Sequence, residues 1–288
     1  MRDYIVRFYN GDKLLQSSRV YYGNYATYNG DESEIKKYIG DEPSKYYEFA
    51  SWTPSLSEPI KGITDYYADF VFDGYIEDDW ETIIENINSG EDVYGYGGKK
   101  KMDFTFTNQG VTYTQELELE IVDKNHDLLE SVDPEYNLGK ETAHITFRGK
   151  LENFNRTANT SSKEGSLNRG GWKESEIREW LNGEFLNCFP DIVKDNIKIV
   201  NKISDGGYES TDLITTQDKI FLASLEELNL KAGDNTIKGQ GTPYVLFTDN
   251  ASRKENNTYW TRSTRTTFNH MWCIIDLDGR AYIAGGGN

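Results

Sequence analysis

Apolar and polar residues alternate with a period of two over 111–122, VTYTQELELEIV, which predicts a strand with one buried face. Shorter stretches of this kind at 3–10, 13–22, 46–53, 66–72, 101–107, 142–148, 197–203 and 243–248 predict further strands. Asn10-Gly11-Asp12 turns the first into the second. Asp278-Gly279 turns 274–277 into 281–283 as a terminal hairpin, because glycine takes the positive φ such turns need. The helical period is rarer. Trp80, Ile83, Ile84 and Ile87 share one face of a helix that Asp79 caps and Ser89-Gly90 stops. A second helix starts at Trp172, buries Ile177, Trp180 and Leu181, and ends at Asn182-Gly183. ESEIKKYI, inside a polar insert at 29–45, predicts one or two helical turns. FLNCFPDIV at 185–193 predicts a partly helical piece broken by Pro190, and Leu225 to Leu228 a further turn. The stretches 152–170 and 249–257 are polar loop.

The balance is a β-rich α+β chain. Its 288 residues exceed one small core, and Asp73-Gly74 is a boundary, giving domains 1–74 and 75–288. The second divides into a β-rich first half, 75–150, and a helix-containing second half, 151–288, with the terminal hairpin.

The formal charge of −17 disfavours nucleic acid as a partner, since phosphate binding needs clustered cations. It leaves carbohydrate and protein partners open. Residues 75–150 carry 7 basic and 17 acidic side chains, residues 151–288 carry 16 and 19, so the last segment is the least acidic per residue. The 20 Tyr, 13 Phe and 6 Trp suit both a sheet core and a binding surface. Met1 leads straight into a charged strand, so no signal peptide is expected. No apolar run approaches the ~18 residues of a span, so no membrane insertion is expected. Cys188 and Cys273 have no metal-ligand spacing; they are read as free buried thiols, with a single bridge left open.

Chemistry-bearing motifs are few. VYGYGG at 93–98 precedes three lysines but lacks the phosphate-loop pattern and reads as a tight turn. His126-Asp127 is half of an acid–base or metal site with no nucleophile in view, or else a hydrogen-bonded turn. Asp276, Asp278 and Gly279 lack the remaining ligands of a calcium loop. No cofactor is expected. The better contact candidates lie between Trp260 and Trp272. Arg265, Thr266, Asn269 and His270 offer hydrogen bonds to sugar hydroxyls or backbone groups, and Phe268 offers a stacking face. Trp172, Trp180, Tyr259, Trp260, Arg262 and Trp272 are read as framework, with Arg262 pairing a buried carboxylate or carbonyls.

Two resemblances follow from residue patterns. FYNGD at 8–12, Tyr22-Gly23, Tyr47-x-Phe49-x-x-Trp52 and Tyr67-Ala68-x-Phe70 resemble the internalin-type B repeat, a β-grasp-like module of bacterial adhesins and some phage proteins. The insert before Tyr46 is longer than the family's. This resemblance covers 3–72 and implies a spacer or adhesion module with Phe8, Phe49, Trp52 and Phe70 as core. A second, over 78–286, rests on ordered landmarks. These are Trp80 with its helix, the glycine–lysine turn at 95–100, Asn125-His126-Asp127 and Gly170-Gly171-Trp172 with Ser175, Ile177-Arg178 and Leu181-Asn182. Thr216-x-Asp218-Lys219-x-Phe221-Leu222-x-Ser224 and Tyr259-Trp260-x-Arg262-Ser263 complete them. Together they resemble an uncharacterised domain family of Gram-positive gut bacteria and their phages with a C-type-lectin-like fold. Thr264 stands where that family usually has proline, and the terminal Arg-Pro ending is missing.

The resemblances imply a β-grasp-like module followed by a C-type-lectin-like domain that binds protein or glycan without calcium. The expectation is a non-enzymatic, homo-oligomeric phage virion structural protein: a tail fibre, baseplate or head decoration. It would contact other virion proteins and attach to a host-surface glycan or protein. Release by lysis fits the expected lack of a signal peptide, and repetition on a particle lets individual sites be weak. The alternatives are a purely architectural virion protein, a fragment of a bacterial surface adhesin, and an enzyme related to the formylglycine-generating oxidases, which need a reactive cysteine pair or a metal.

Overall fold

The computed structural model describes residues 2–39, 42–71, 74–90, 93–131, 141–151, 154–159, 168–231 and 236–285. Asp73, parts of the 152–170 loop and the terminal glycines 286 and 287 lie outside the described residues. Two compact units form, one from residues 1–76 with 92–99, the other from 77–91 with 100–288.

In the first unit, β1 (Asp3–Asn10), β2 (Lys13–Tyr21), β3 (Lys36–Ile39), β4 (Glu42–Thr53) and β5 (Thr64–Val71) form one sheet in the order β2-β1-β5-β4-β3. β1 is antiparallel to β2 but parallel to β5. Alternation places Val6 and Phe8 of β1 inside, where Phe8 stacks on Tyr66 with ring centroids 4.9 Å apart and meets Trp52 edge-on. ESEIKKYI is not helical beyond a single 3-10 turn at Glu32–Glu34. The rest is the edge strand β3, because Lys36 to Tyr38 pair with β4. VYGYGG belongs to this unit as well. Tyr96 N donates to Phe70 O, the Tyr47 hydroxyl to Val93 O, and a Cβ at Gly95 would stand 2.8 Å from the Tyr47 ring.

The second unit starts with α1 (Trp80–Ser89), capped by Asp79 accepting from Thr82 N at 2.8 Å and closed by Gly90 at φ 78°. β6 (Lys99–Asn108), β7 (Val111–Lys124) and β8 (Ile145–Lys150) follow as a sheet in that order. Next come α2 (Glu176–Trp180), α3 (Asp191–Asn196), the hairpin β9 (Val200–Asp205)–β10 (Leu213–Asp218), α4 (Asn250–Arg253), and the sheet β11 (Tyr259–Thr264), β12 (Met271–Ile275), β13 (Ala281–Gly285).

The described chain is thus β-rich with few helices and several small sheets. Among the described residues no helix is long and apolar enough to cross a membrane. The main core joins Phe104, Phe106, Leu117 and Leu119 of β6 and β7 with Trp172, Trp180, Phe185 and Trp272.

Two local expectations fail for tertiary reasons. Asn182-Gly183 does not end the second helix, which widens into a π-turn over Leu181–Phe185 and then a 3-10 turn. The Asn182 side chain holds that turn in place, with Oδ1 accepting from Lys219 N and Ile220 N while Nδ2 donates to Ile220 O. PYVLFT is not a strand. Val245 N donates to the Asp123 carboxylate and Phe247 N turns back to Tyr244 O, so no ladder forms.

Candidate functional site

The loop 265–270 joins β11 to β12. Thr264 pairs with Trp272, and Trp260 with Ile274, across an irregular register. The two tryptophans at its ends differ in their surroundings. Trp272 is fully buried in the main core, whereas Trp260 is half-buried and donates Nε1–H to Arg156 O at 2.8 Å.

Asn168, itself 0% exposed, holds the loop. Its Nδ2 donates to Phe268 O at 2.7 Å and Met271 O at 2.9 Å and lies 3.3 Å from Arg265 O, while its backbone N–H donates to Asn269 O. Gly207 and Gly171 let two backbones meet beneath this clamp. A Cβ on Gly207 would lie 1.7 Å from Asn168 O, and one on Gly171 would lie 2.0 Å from Asp205 O. Asp205, also fully buried, anchors the loop's foot by accepting from Thr264 N at 2.9 Å, the Thr264 hydroxyl, Gly207 N and Gln240 Nε2. Burial raises its pKa against the pull of these hydrogen bonds.

Above the clamp, Thr267, Phe268, Asn269 and His270 are exposed, Phe268 by 41%. Arg265 and Thr266 are half-buried. The Arg265 guanidinium sits 5.1 Å from the Phe268 ring centroid, and Thr266 O accepts from Glu209 N. His270 Nδ1 lies 2.9 Å from Asn269 Oδ1. Arg169, ion-paired to Glu209 at 3.1 Å and placed over the Tyr208 ring, belongs to the same neighbourhood. The five predicted contact residues therefore divide. Phe268, Asn269 and His270 face solvent together, while Arg265 and Thr266 mostly support them. Asn168, Arg169 and Tyr208 escaped the sequence reading, since a lone Asn in a polar loop carries no pattern.

The remaining framework residues are interior or partly so. Trp172 Nε1–H donates to Asp218, Trp180 packs on Phe154 and Phe185, and the Tyr259 hydroxyl donates to Arg253 O. Arg262, 0% exposed, uses all its donors. Its guanidinium is bidentate to Glu227 and also meets the carbonyls of Ile203, Leu222 and Gln240. Lys202 sits between Glu227 at 2.6 Å and Asp127 at 2.5 Å, so two buried cations face two buried carboxylates. Burial alone would raise the Glu227 pKa; Arg262 and Lys202 outweigh it and lower the value.

His126-Asp127 is part of this network. Its Nδ1 lies 3.2 Å from Asp127 Oδ1, and its Nε2 lies 2.8 Å from Thr242 Oγ1 and 3.2 Å from Thr242 O. Asp127 on one side and the Thr242 carbonyl on the other favour the protonated ring. Burial works against the charge, but the Asp127 hydrogen bond and charge, with Asp123, prevail and raise the pKa. A raised folded-state pKa contributes stability below the ordinary value of 6.5, lost as pH climbs through the folded value. The melting temperature is therefore expected to fall as pH rises above about 6.5, and His126→Gln to flatten that profile.

Asp276 accepts from Asp278 N and Arg280 N inside the terminal turn, so this carboxylate is spent on the hairpin. Among the described residues no group of His, Cys, Asp and Glu is arranged to hold a metal. Cys188 and Cys273 are unbridged, and burial raises both thiols, Cys273 to about 12, so neither is primed as a thiolate.

With this geometry in hand, comparison with known proteins adds one finding. Residues 148–285 match the family model of a domain of unknown function (DUF6273). No curated protein and no solved structure matched the chain. The matched segment carries Asn168, Asp205, Glu227, Arg262 and the 265–270 loop. Asp127 and His126 lie before it.

Proposed function

We propose that this chain is a non-enzymatic recognition protein that attaches to a glycan or protein surface through the 265–270 loop of its second unit. One observation carries the reading: buried Asn168 fixes the loop backbone while Phe268, Asn269 and His270 remain exposed on top of it. A loop ordered before binding loses less entropy on contact than a mobile one, and an exposed aromatic beside amide and imidazole groups suits a sugar or a peptide edge.

The finer fold assignments belong to the same proposal. The first unit is read as a β-grasp-like adhesin repeat, an idea supported by the parallel pairing of its first and last strands. The second is read as C-type-lectin-like. On those resemblances we read the protein as a repeated component of a phage virion, with a bacterial cell surface as the alternative setting.

The test is labelling of intact Gram-positive cells by the fluorescent full chain, presented as a multimer, beside a Phe268→Ala/His270→Ala variant of equal melting temperature. Wild-type labelling that falls at least about tenfold in the variant, 1.4 kcal/mol or more, is expected. Equal labelling would move the site elsewhere. No labelling by either protein would favour a purely architectural role.

A further inference from the structure

We infer that the second unit binds a long-chain fatty carboxylate in a partly open, mainly apolar cavity lined by α1, β7, β8, α2 and α3, with the Arg156 guanidinium receiving the acid group. The cavity measures about 550 Å³. At roughly 30 Å³ for each small group, that space takes a chain of about twelve to sixteen carbons. Its walls are mainly aliphatic and aromatic, with charged side chains among them. The whole apolar face of α1 (Trp80, Ile83, Ile84, Ile87) turns into it, opposite Leu119 and Phe147. An amphipathic helix ordinarily closes onto its sheet; here methylenes would supply the dispersion contacts that a direct helix–sheet seam would make.

The wall charges decide the headgroup. Arg148 and Lys150 are neutralised by Glu118, Glu120 and Glu255. Among the described residues Arg156 is not paired in this way. One of its terminal nitrogens donates to the neutral Asn108 amide, its guanidinium carbon lies 4.6 Å from the Trp180 ring centroid, and its Nε is buried with no acceptor among the described residues. A buried donor left unpaired is costly, and a carboxylate satisfies both the donor and the charge. Burial lowers the Arg156 pKa against the opposing influence of Glu176 and Glu184, so the cation gains from an anion placed beside it. Lys219, also in the wall, donates to Lys194 O.

The experiment uses the full chain and follows tryptophan emission during titration with ω-bromododecanoate, whose bromine quenches on contact. Trp80, Trp180 and Trp260 line the cavity; Trp52, Trp172 and Trp272 do not. Saturable quenching of about half the emission is expected, with displacement by unlabelled dodecanoate. Arg156→Gln should weaken the carboxylate at least tenfold and leave ω-bromododecanol unchanged. Ile84→Trp, which fills the cavity from a half-buried position, should exclude both. Phe268→Ala/His270→Ala should bind as wild type does, which separates this site from the loop. Quenching that never saturates overturns the inference. So does equal binding of acid and alcohol by wild type and Arg156→Gln, or saturable binding that survives in a folded Ile84→Trp protein. If Ile84→Trp does not fold, the acid–alcohol comparison in Arg156→Gln decides alone.

Discussion

Arg262→Ala is expected to destabilise the second unit by ~3–5 kcal/mol, a fall in melting temperature of roughly 6–20 °C. The cause is the burial of its partner. Glu227 is 1% exposed and accepts two charge-assisted hydrogen bonds from Arg262. Removing the guanidinium leaves that carboxylate with Lys202 as its one cation and the Ser224 N–H as its other donor, and it strands the carbonyls of Ile203, Leu222 and Gln240. Arg262→Lys is expected to recover little, because one ammonium cannot reach a bidentate carboxylate and three carbonyls set around a plane. Arg262→Met/Glu227→Met should be much less damaging than either single change. It leaves Lys202 and Asp127 as a balanced pair, and losing a paired charge costs less than orphaning one. Denaturant unfolding followed by near-ultraviolet circular dichroism reads wild type, the single variants and the double variant alike. A single Arg262→Ala loss under about 1 kcal/mol would mean that the network is solvated rather than buried.

Asn168→Ala carries the second large effect, and it separates order from contact. The side chain supplies donors to the 268 and 271 carbonyls from a position with no solvent access. Its loss is expected to cost about 1–3 kcal/mol and to release the loop. Hydrogen exchange should report this directly. The amides of Arg265 and Phe268, bonded within the loop to Met271 O and Arg265 O, should lose protection while those of β9 and β10 keep theirs. Cell labelling should fall with them, although no surface atom has changed. Asn168→Asp should fare no better, since an ionised carboxylate offers only acceptors to a ring of carbonyls. Retained labelling with lost protection would show that the loop need not be ordered in advance, which removes the main support for the recognition reading.

The contrast between these two residues shows how far the sequence could be read. Arg262 stood out because an arginine within a Tyr-Trp-x-Arg-Ser strand has to find anions or carbonyls. Its partner Glu227 did not, since nothing in Leu225 to Leu228 distinguishes a buried carboxylate from a solvated one. Lys202 sat unmarked in an apolar stretch. Asn168 was invisible for a related reason: its partners are backbone carbonyls about a hundred residues later, and backbone acceptors have no sequence signature. Phe268, Asn269 and His270 were legible as a polar loop with one aromatic. That Arg265 and Thr266 would be drawn down to support them was not, because this depends on Phe268 and Glu209 arriving beside them. The expected PYVLFT strand failed likewise, outbid by the Asp123 carboxylate for a backbone amide.

What the sequence alone determined are features whose cause is local. The alternation of 111–122 makes β7, Asp79 and Gly90 bound α1, and Asp278-Gly279 turns the terminal hairpin. Each rests on forces acting within a few residues: side-chain period, a cap, a positive φ. What only the tertiary structure decided are the features made of distant partners. They include the clamp under the loop, the four-charge network around Lys202, and the cavity faced by α1 with one guanidinium in its wall. Burial and hydrogen-bond satisfaction are properties of the assembled unit, so they appear only once segments a hundred residues apart compete for the same donors and the same space.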